Sequence, residues 1–160
     1  MTTPTFHHRA WADLTRDELY ALMALRQEVF VVEQRCPYLD ADGYDPQAAH
    51  LWATGAGGDY PIAYCRIFPA GVKYAEASIG RVVSAGSARR TGVGRALMVE
   101  ALRRMDADAG GSTATVRISA QAYLQRFYEG FGFRVASAPY LEDDIPHVEM
   151  LRGGPGPAAE

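Results

Sequence analysis

Residues 88–98 read ARRTGVGRALM: two arginines, then two glycines one residue apart, then the start of a helical pattern. A glycine costs a helix interior about 1 kcal/mol relative to alanine, so the spacing needs a reason. Upstream lies the strand-like ASIGRVV from Ala77. Downstream, Val93, Leu97, Ala101 and Met105 recur at helical spacing, which predicts a helix from Gly92 to about Ala107. The stretch is therefore a strand–loop–helix junction. The first turn of a helix offers unpaired N–H donors and the positive end of its dipole, and both stabilise a phosphate. Gly92 and Gly94 have no Cβ to keep a diphosphate off the backbone, and Arg89, Arg90 and Arg95 add positive charge. A mononucleotide P-loop needs G-x-x-x-x-G-K-[ST], which is absent, and a dinucleotide fingerprint needs a small residue where Leu97 stands. What remains is [RQ]-x-x-G-x-G, filled by Arg89, Gly92 and Gly94. Taken alone it reads either as an anion site or as a tight turn.

Working outward, a first strand is expected around Phe6–Trp11. A helix follows, opened by the S/T-x-x-E capping box of Thr15 and Glu18 with Leu14 and Leu19 as its hydrophobic staple. Leu19, Leu22, Met23, Val29 and Phe30 form its buried stripe, and Cys36–Pro37 ends the helical region. PYLDADGYDP is rich in turn formers and reads as a loop. HLWAT from His50 and YPIAYCRIF after Gly57–Gly58–Asp59 read as a hairpin. TATVRIS predicts a strand, Ala122 to Phe131 an amphipathic helix, and FRVAS and HVEMLR the last strands, with YLEDDIPH a loop between them. The order β-α-β-β-β-α-β-α-β-β is that of an α/β protein whose mixed sheet carries helices on its faces.

The chain has 160 residues, 48% of them apolar and 22% charged, which is one ordinary globular domain. That domain is expected over residues 1–152, with GGPGPAAE at 153–160 a loose tail. A net charge of −3 argues against a general nucleic-acid binder. Cys36 and Cys65 lack metal spacing and read as free thiols of a reducing cytoplasm. No apolar run is long enough to span a membrane, and MTTPTFHHRA lacks the apolar stretch of a signal peptide. His7 and His8 have no partners at ligand spacing, so no metal is implied.

The loop motif between strand and helix resembles the coenzyme A pyrophosphate loop of the GNAT N-acetyltransferases. QAYLQRFYEGFGF resembles that family's second signature, N-x-x-A-x-x-x-Y-x-x-x-G-F: Tyr128, Gly132 and Phe133 match, while Gln121 replaces the usual Asn and Leu124 the usual Ala. LRQEVFVVEQRCPYLDADGYD, IGRVV, FYEGFGF and IPHVEM further resemble the ElaA-like branch, and the likeness covers residues 5 to 152.

The resemblance implies a GNAT-like fold and direct transfer of an acetyl group from acetyl-CoA, a cosubstrate, to an amine. Two strands would splay around the thioester. Val82, Val83 and Ser84 would bond the pantetheine arm. Arg89, Arg90, Thr91, Gly92, Val93, Gly94 and Arg95 would hold the pyrophosphate, and Gln121 would keep an amide toward the cofactor. An amine of pKa about 10.4 is neutral in roughly one molecule in 2,500 at pH 7, so freeing it costs about 4.6 kcal/mol without a base or desolvation. The leaving thiolate benefits from an acid. Tyr128 is the candidate acid, or else a core tyrosine beside Leu124 and Phe131. Glu33, His50 and His147 are candidate bases, with water-mediated deprotonation a further route. The acidic loops, with Asp40, Asp42 and Asp45 and with Glu142, Asp143 and Asp144, either steer a cationic acceptor or are merely solvated. Two other functions fit the same residues: an acetyl-CoA sensor without turnover, and an acyltransferase using another acyl-CoA, such as an acyl-homoserine lactone synthase. Oligomeric state is not legible.

Overall fold

The computed structural model describes residues 3–154, so most of the expected tail lies outside the described residues. Gly153 is not loose: its carbonyl accepts from the Arg134 guanidinium, and a Cβ there would lie 2.7 Å from the Ala114 carbonyl oxygen. The capping box forms as read, with the Thr15 N–H donating to Glu18 and the Glu18 N–H donating back to Thr15 Oγ1 at 3.1 Å. It opens α1 (Arg16–Arg26), which widens into a π-helical segment over Gln27–Glu33. The helical region thus stops three residues before the expected Cys36, where Arg35 turns into the left-handed region at φ 54°.

Eight strands make up the sheet among the described residues: β1 (Thr5–Ala10), β2 (Ala49–Thr54), β3 (Pro61–Phe68), β4 (Ala77–Ser84), β5 (Val116–Gln121), β6 (Arg134–Val135), β7 (Tyr140–Glu142) and β8 (Ile145–Arg152). Their order is β1-β2-β3-β4-β5-β8-β6, with β7 also pairing β8. All neighbours are antiparallel except β4 and β5. The expected sheet lacked β7. YLEDDIPH is a hairpin whose corner residues, Asp143 and Asp144, both take positive φ, 49° and 60°. Aspartate tolerates that conformation, but without glycine at the corner the sequence carries only a weak hairpin signal. The expected helix over 122–131 is a 3₁₀ turn (Ala122–Leu124) followed by a five-residue α3 (Gln125–Glu129), ended by the turn at Gly130 and Gly132.

Helix α2 (Val93–Asp108) covers one face of the sheet and α1 the other. Strand alternation sorts the core accordingly: Leu51, Ala53, Ala63 and Cys65 face α2, while Trp52 and Tyr64 face α1. In β4 the rule breaks. Ile79 and Val83 should share a face, yet Ile79 lies in the α2 core and Val83 in the α1 core. A bulge explains this: Tyr64 pairs Val83 but Arg66 pairs Gly80, so β4 holds one extra residue opposite Cys65.

The first acidic loop is not solvated surface. Arg26 is 1% exposed and donates from Nε to Asp40 at 2.8 Å and from Nη1 to Asp45 at 2.7 Å. Arg66, also buried, donates to Asp42 and to Asp45, the latter at 2.9 Å. These carboxylates fold the loop after α1 onto β3, which overturns their expected role in drawing an acceptor. Burial alone would raise the Asp42 carboxyl, but hydrogen bonds from Arg66 and the Tyr44 N–H hold it well below the usual range. A depressed carboxyl adds stability that is full above its unfolded pKa, near 3.9, and is lost as pH falls through the folded value. Asp42→Asn should therefore flatten the acid limb of a stability–pH profile. Asp45→Ala leaves both Arg26 and Arg66 short of a buried partner and should cost about 3–5 kcal/mol in chemical denaturation.

Candidate active site

Strands β4 and β5 pair only at Ala77 with Val116 and Ser78 with Arg117. Beyond those two residues they part, and a cleft of about 740 Å³ opens between them. Its walls include Ile79 to Ser84 on one side and Ile118, Ser119 and Gln121 on the other. Glu33, Arg89, Arg90, Gly92, Gly94 and Arg95 line it at or beside the turn before α2, the glycine end. Tyr38, Lys73, Tyr74, Glu142, Asp143 and His147 line it from the loop after α1, the β3–β4 turn and the β7–β8 hairpin, the far end.

At the glycine end, Gly92 takes φ +88° as the N-cap of α2, a conformation L side chains rarely adopt. Gly94 lies in the first turn, where a Cβ would come 3.3 Å from Ser84 Oγ. The Thr91 hydroxyl donates to the Ala88 carbonyl at 2.6 Å and steadies the turn. Val93 points into the core, 5% exposed, so only its backbone remains for a ligand, while Thr91 is exposed. Arg95 lies 5.0 Å over the Phe131 ring. Arg89 makes a two-pronged pair with Glu33, the second contact at 2.9 Å, and that hydrogen bonding lowers the Glu33 carboxyl pKa. Glu33 is thereby an arginine partner rather than a free base.

Tyr128 is in the cleft wall and 6% exposed, with Phe127 and Phe133 edge-on at 5.2 and 6.1 Å. It is thus both a core residue and a cleft residue. Burial pushes its phenol above the ordinary value, so it keeps its proton throughout the physiological range. His50 is elsewhere, 1% exposed; Tyr64 donates its hydroxyl to Nδ1 at 2.8 Å, and Nε2 donates to the Asp45 carbonyl at 3.1 Å. Desolvation lowers its pKa, and it braces the ion-pair loop instead of reaching the cleft. His147 does reach it. Its Nδ1 lies 2.7 Å from the Ile145 carbonyl oxygen, which can only accept, so Nδ1 carries the hydrogen and Nε2 is the nitrogen that exchanges a proton. Nε2 lies 3.4 Å from Glu142, and the ring stacks on Tyr140.

Three features of this cleft were missed from the sequence: the Ser119–Tyr140 contact beside Glu142, the lysine at the far end, and Arg81. Arg81 is the bulge residue, at φ 50°, and its side chain pairs with Asp40 at 2.8 Å and Asp42 at 3.6 Å above Phe30 and Tyr38. An arginine inside an apolar strand was the available signal, since buried charges need partners.

A mixed sheet that parts between two parallel strands, with a glycine turn opening a helix beside the gap, is the acyl-CoA N-acyltransferase fold. The chain belongs to the GNAT acetyltransferase family, within its ElaA-like branch: the family's acetyltransferase (GNAT) domain model matches residues 65–152. Protein ElaA of Escherichia coli is 39% identical over 146 residues, 91% of this chain and 92% of that protein. Its crystal structure superposes with a TM-score of 0.85 at 35% identity, covering 94% of this chain and all of that one. An acyl-CoA N-acyltransferase from Pseudomonas aeruginosa gives a TM-score of 0.85 at 42% identity, with 94% and 100% covered. A CoA-dependent acyl-homoserine lactone synthase shares the fold alone, with a TM-score of 0.73 at 18% identity over 93% of this chain and 82% of that one.

A left-handed conformation costs a residue other than glycine about 1–2 kcal/mol. Arg81→Gly and Arg81→Ala lose the same ion pairs, but only the alanine variant keeps the strain. The glycine variant should be the more stable by about 1 kcal/mol in chemical denaturation.

Proposed function

We propose that this protein is an acetyl-CoA-dependent N-acetyltransferase that moves the acetyl group directly to the amine of a small molecule or peptide. The observation that carries the reading is the parting of β4 from β5. Past Ser78, β4 has no strand on its β5 side, so those backbone N–H and C=O groups of Ile79 to Ser84 that point away from β3 face the cleft without ladder partners. Buried backbone groups require partners, and the amide-rich pantetheine arm of CoA supplies them at Val82, Val83 and Ser84. The turn from Arg89 to Gly94, with Arg95, suits the pyrophosphate through N–H donors and charge. Gln121 adds a primary amide on the β5 side, where it donates to Gln34 at 3.4 Å. The family model's acetyltransferase description favours acetyl as the group moved.

In this mechanism the acceptor enters as an ammonium and gives a proton to His147 Nε2, with Glu142 stabilising the imidazolium. The amine nitrogen attacks the thioester carbonyl carbon. The C–N bond forms and the C–S bond breaks. Tyr128 donates its hydroxyl proton to the departing thiolate and regains one, directly or through water, from the acylated nitrogen, which leaves the neutral amide, while His147 returns its proton to solvent. A phenol that stays protonated is suited to that donation. Free Cys36 and Cys65 agree with a reducing, cytoplasmic setting. No helix among the described residues is long and apolar enough to cross a membrane.

Thiol release from acetyl-CoA, measured across a panel of amines, tests the reading. Tyr128→Phe and His147→Asn should each lower kcat by about 10²–10⁴ while CoA affinity, by calorimetry, is kept. Rates within about threefold of the parent would remove these residues from the chemistry. CoA binding with no amine-dependent thiol release would make the protein a sensor.

A further inference from the structure

The charges around the far end of the cleft do not cancel where they stand. On the wall built from β3, β4 and the loop after α1, three arginines meet three aspartates: Arg26, Arg66 and Arg81 with Asp40, Asp42 and Asp45. These charges pair chiefly with one another, and among the aspartates Asp42 also acts on Lys73. Lys73 is left over. It is the only lysine in the chain and stands in the turn between β3 and β4, where the Gly71 N–H donates to the Tyr74 carbonyl at 2.7 Å. It makes no ion pair among the described residues, and its Nζ rests 3.8 Å from the centre of the Tyr44 ring.

The opposite wall has the opposite sign. The β7–β8 hairpin brings Glu142 and Asp143 into the cleft, and neither meets an arginine or lysine among the described residues. The cation on that side, Arg117, is already held by Glu76 and Glu149, both at 2.9 Å. Glu142 instead accepts from Ser119 Oγ at 3.2 Å and faces His147 Nε2. Lys73 and Glu142 both line the cleft and lie within each other's field, yet make no ion pair. Partial burial lowers the Lys73 pKa; Asp42 and Glu142 oppose this shift, and Arg66 and Arg81 add to it.

A simple amine would answer Glu142 and leave the Lys73 ammonium facing an occupied cleft with the Tyr44 ring but no carboxylate in an ion pair. An anion would do the reverse. A ligand carrying both charges satisfies both walls, and ammonium-to-carboxylate hydrogen bonds are the stronger kind. We propose that the acceptor is a small zwitterion, an amino acid or short peptide, with its carboxylate on Lys73 and its reacting amine between Glu142 and His147. The amine must lie at the His147 end because that is where a proton can be taken from it. This rests on the acetyltransferase reading and fixes the acceptor class for it. Glu142 and Asp143 keep the steering role expected of their loop, but for one end of the ligand only.

The test uses the CoA-loaded protein with free amino acids and dipeptides, their carboxamides, and the matching amines that lack the carboxyl group. Binding is read by calorimetry and turnover by thiol release. The acids should show a KM about ten- to hundredfold below that of their amides, the range expected for one hydrogen bond to a charged group. Lys73→Met should bring that ratio close to one, and Lys73→Glu should invert it, with the fold checked by circular dichroism. Glu142→Gln should raise KM for acids and amides alike. Equal use of acids and amides, a ratio unmoved by either Lys73 variant, or no binding of any zwitterion to a protein that still acetylates plain amines would overturn the proposal. Failure to bind CoA or to release thiol with any amine would instead overturn the acetyltransferase reading beneath it.

Discussion

Backbone N–H and C=O groups cannot be buried without partners, and in this fold β4 is given a partner on one side only for most of its length. The pairing with β5 covers Ala77 and Ser78 and then stops. A sheet that lost its ladder here without compensation would be destabilised by every orphaned group. The surroundings keep the gap open as a cleft. On one side β3 holds β4 by an antiparallel ladder interrupted only at the bulge, and on the other β8 holds β5 through six residue pairs. Each strand bordering the gap is therefore held from its outer side, and the space between them is free to take a ligand whose own amides complete the pattern.

The bulge at Arg81 is the second device. By adding one residue to β4 it puts Val82 against the α2 core and Val83 against the α1 core, so the strand changes face within the cleft wall. Such a kink needs anchoring, and the three-arginine, three-aspartate set supplies it. Arg81 reaches from the bulge to Asp40, which Arg26 holds from α1; Asp45 links Arg26 to Arg66 on β3. Buried ion pairs of this kind do little for net stability against an apolar alternative, but breaking one is costly, so they fix a geometry. Here the geometry is the loop that walls the far end of the cleft.

Much of this was legible from local chemistry. The capping box at Thr15 and Glu18, the helix after Gly92 and the strand–turn–helix at ARRTGVGRALM depend on neighbours in sequence, and they formed as read. Arg89, Arg90, Gly92 and Gly94 of the glycine turn and Tyr128 were likewise named from motifs, and His147 as one of three candidate bases; all of them line one cleft. What could not be read depends on contacts distant in the chain. Asp40, Asp42 and Asp45 look like a solvated loop until Arg26 and Arg66 are seen folded against them. Glu33 looks like a free base until Arg89, 56 residues away, pairs with it. His50 opens a strand in the pattern, and only the structure turns its ring toward Tyr64 and Asp45 rather than the cleft. Lys73 carried no motif at all. Its meaning comes from what the neighbouring charges leave unpaired.

The central claim is that the unpaired edge of β4 and the turn before α2 together bind acyl-CoA. Amide hydrogen exchange with and without CoA measures this residue by residue, because an N–H that gains a partner exchanges more slowly. Saturating CoA should slow exchange at Val82 and Ser84 and across residues 90–95, and leave the outer strands β1 and β2 unchanged. Binding that slows exchange elsewhere while those amides continue at their free rate would contradict the account.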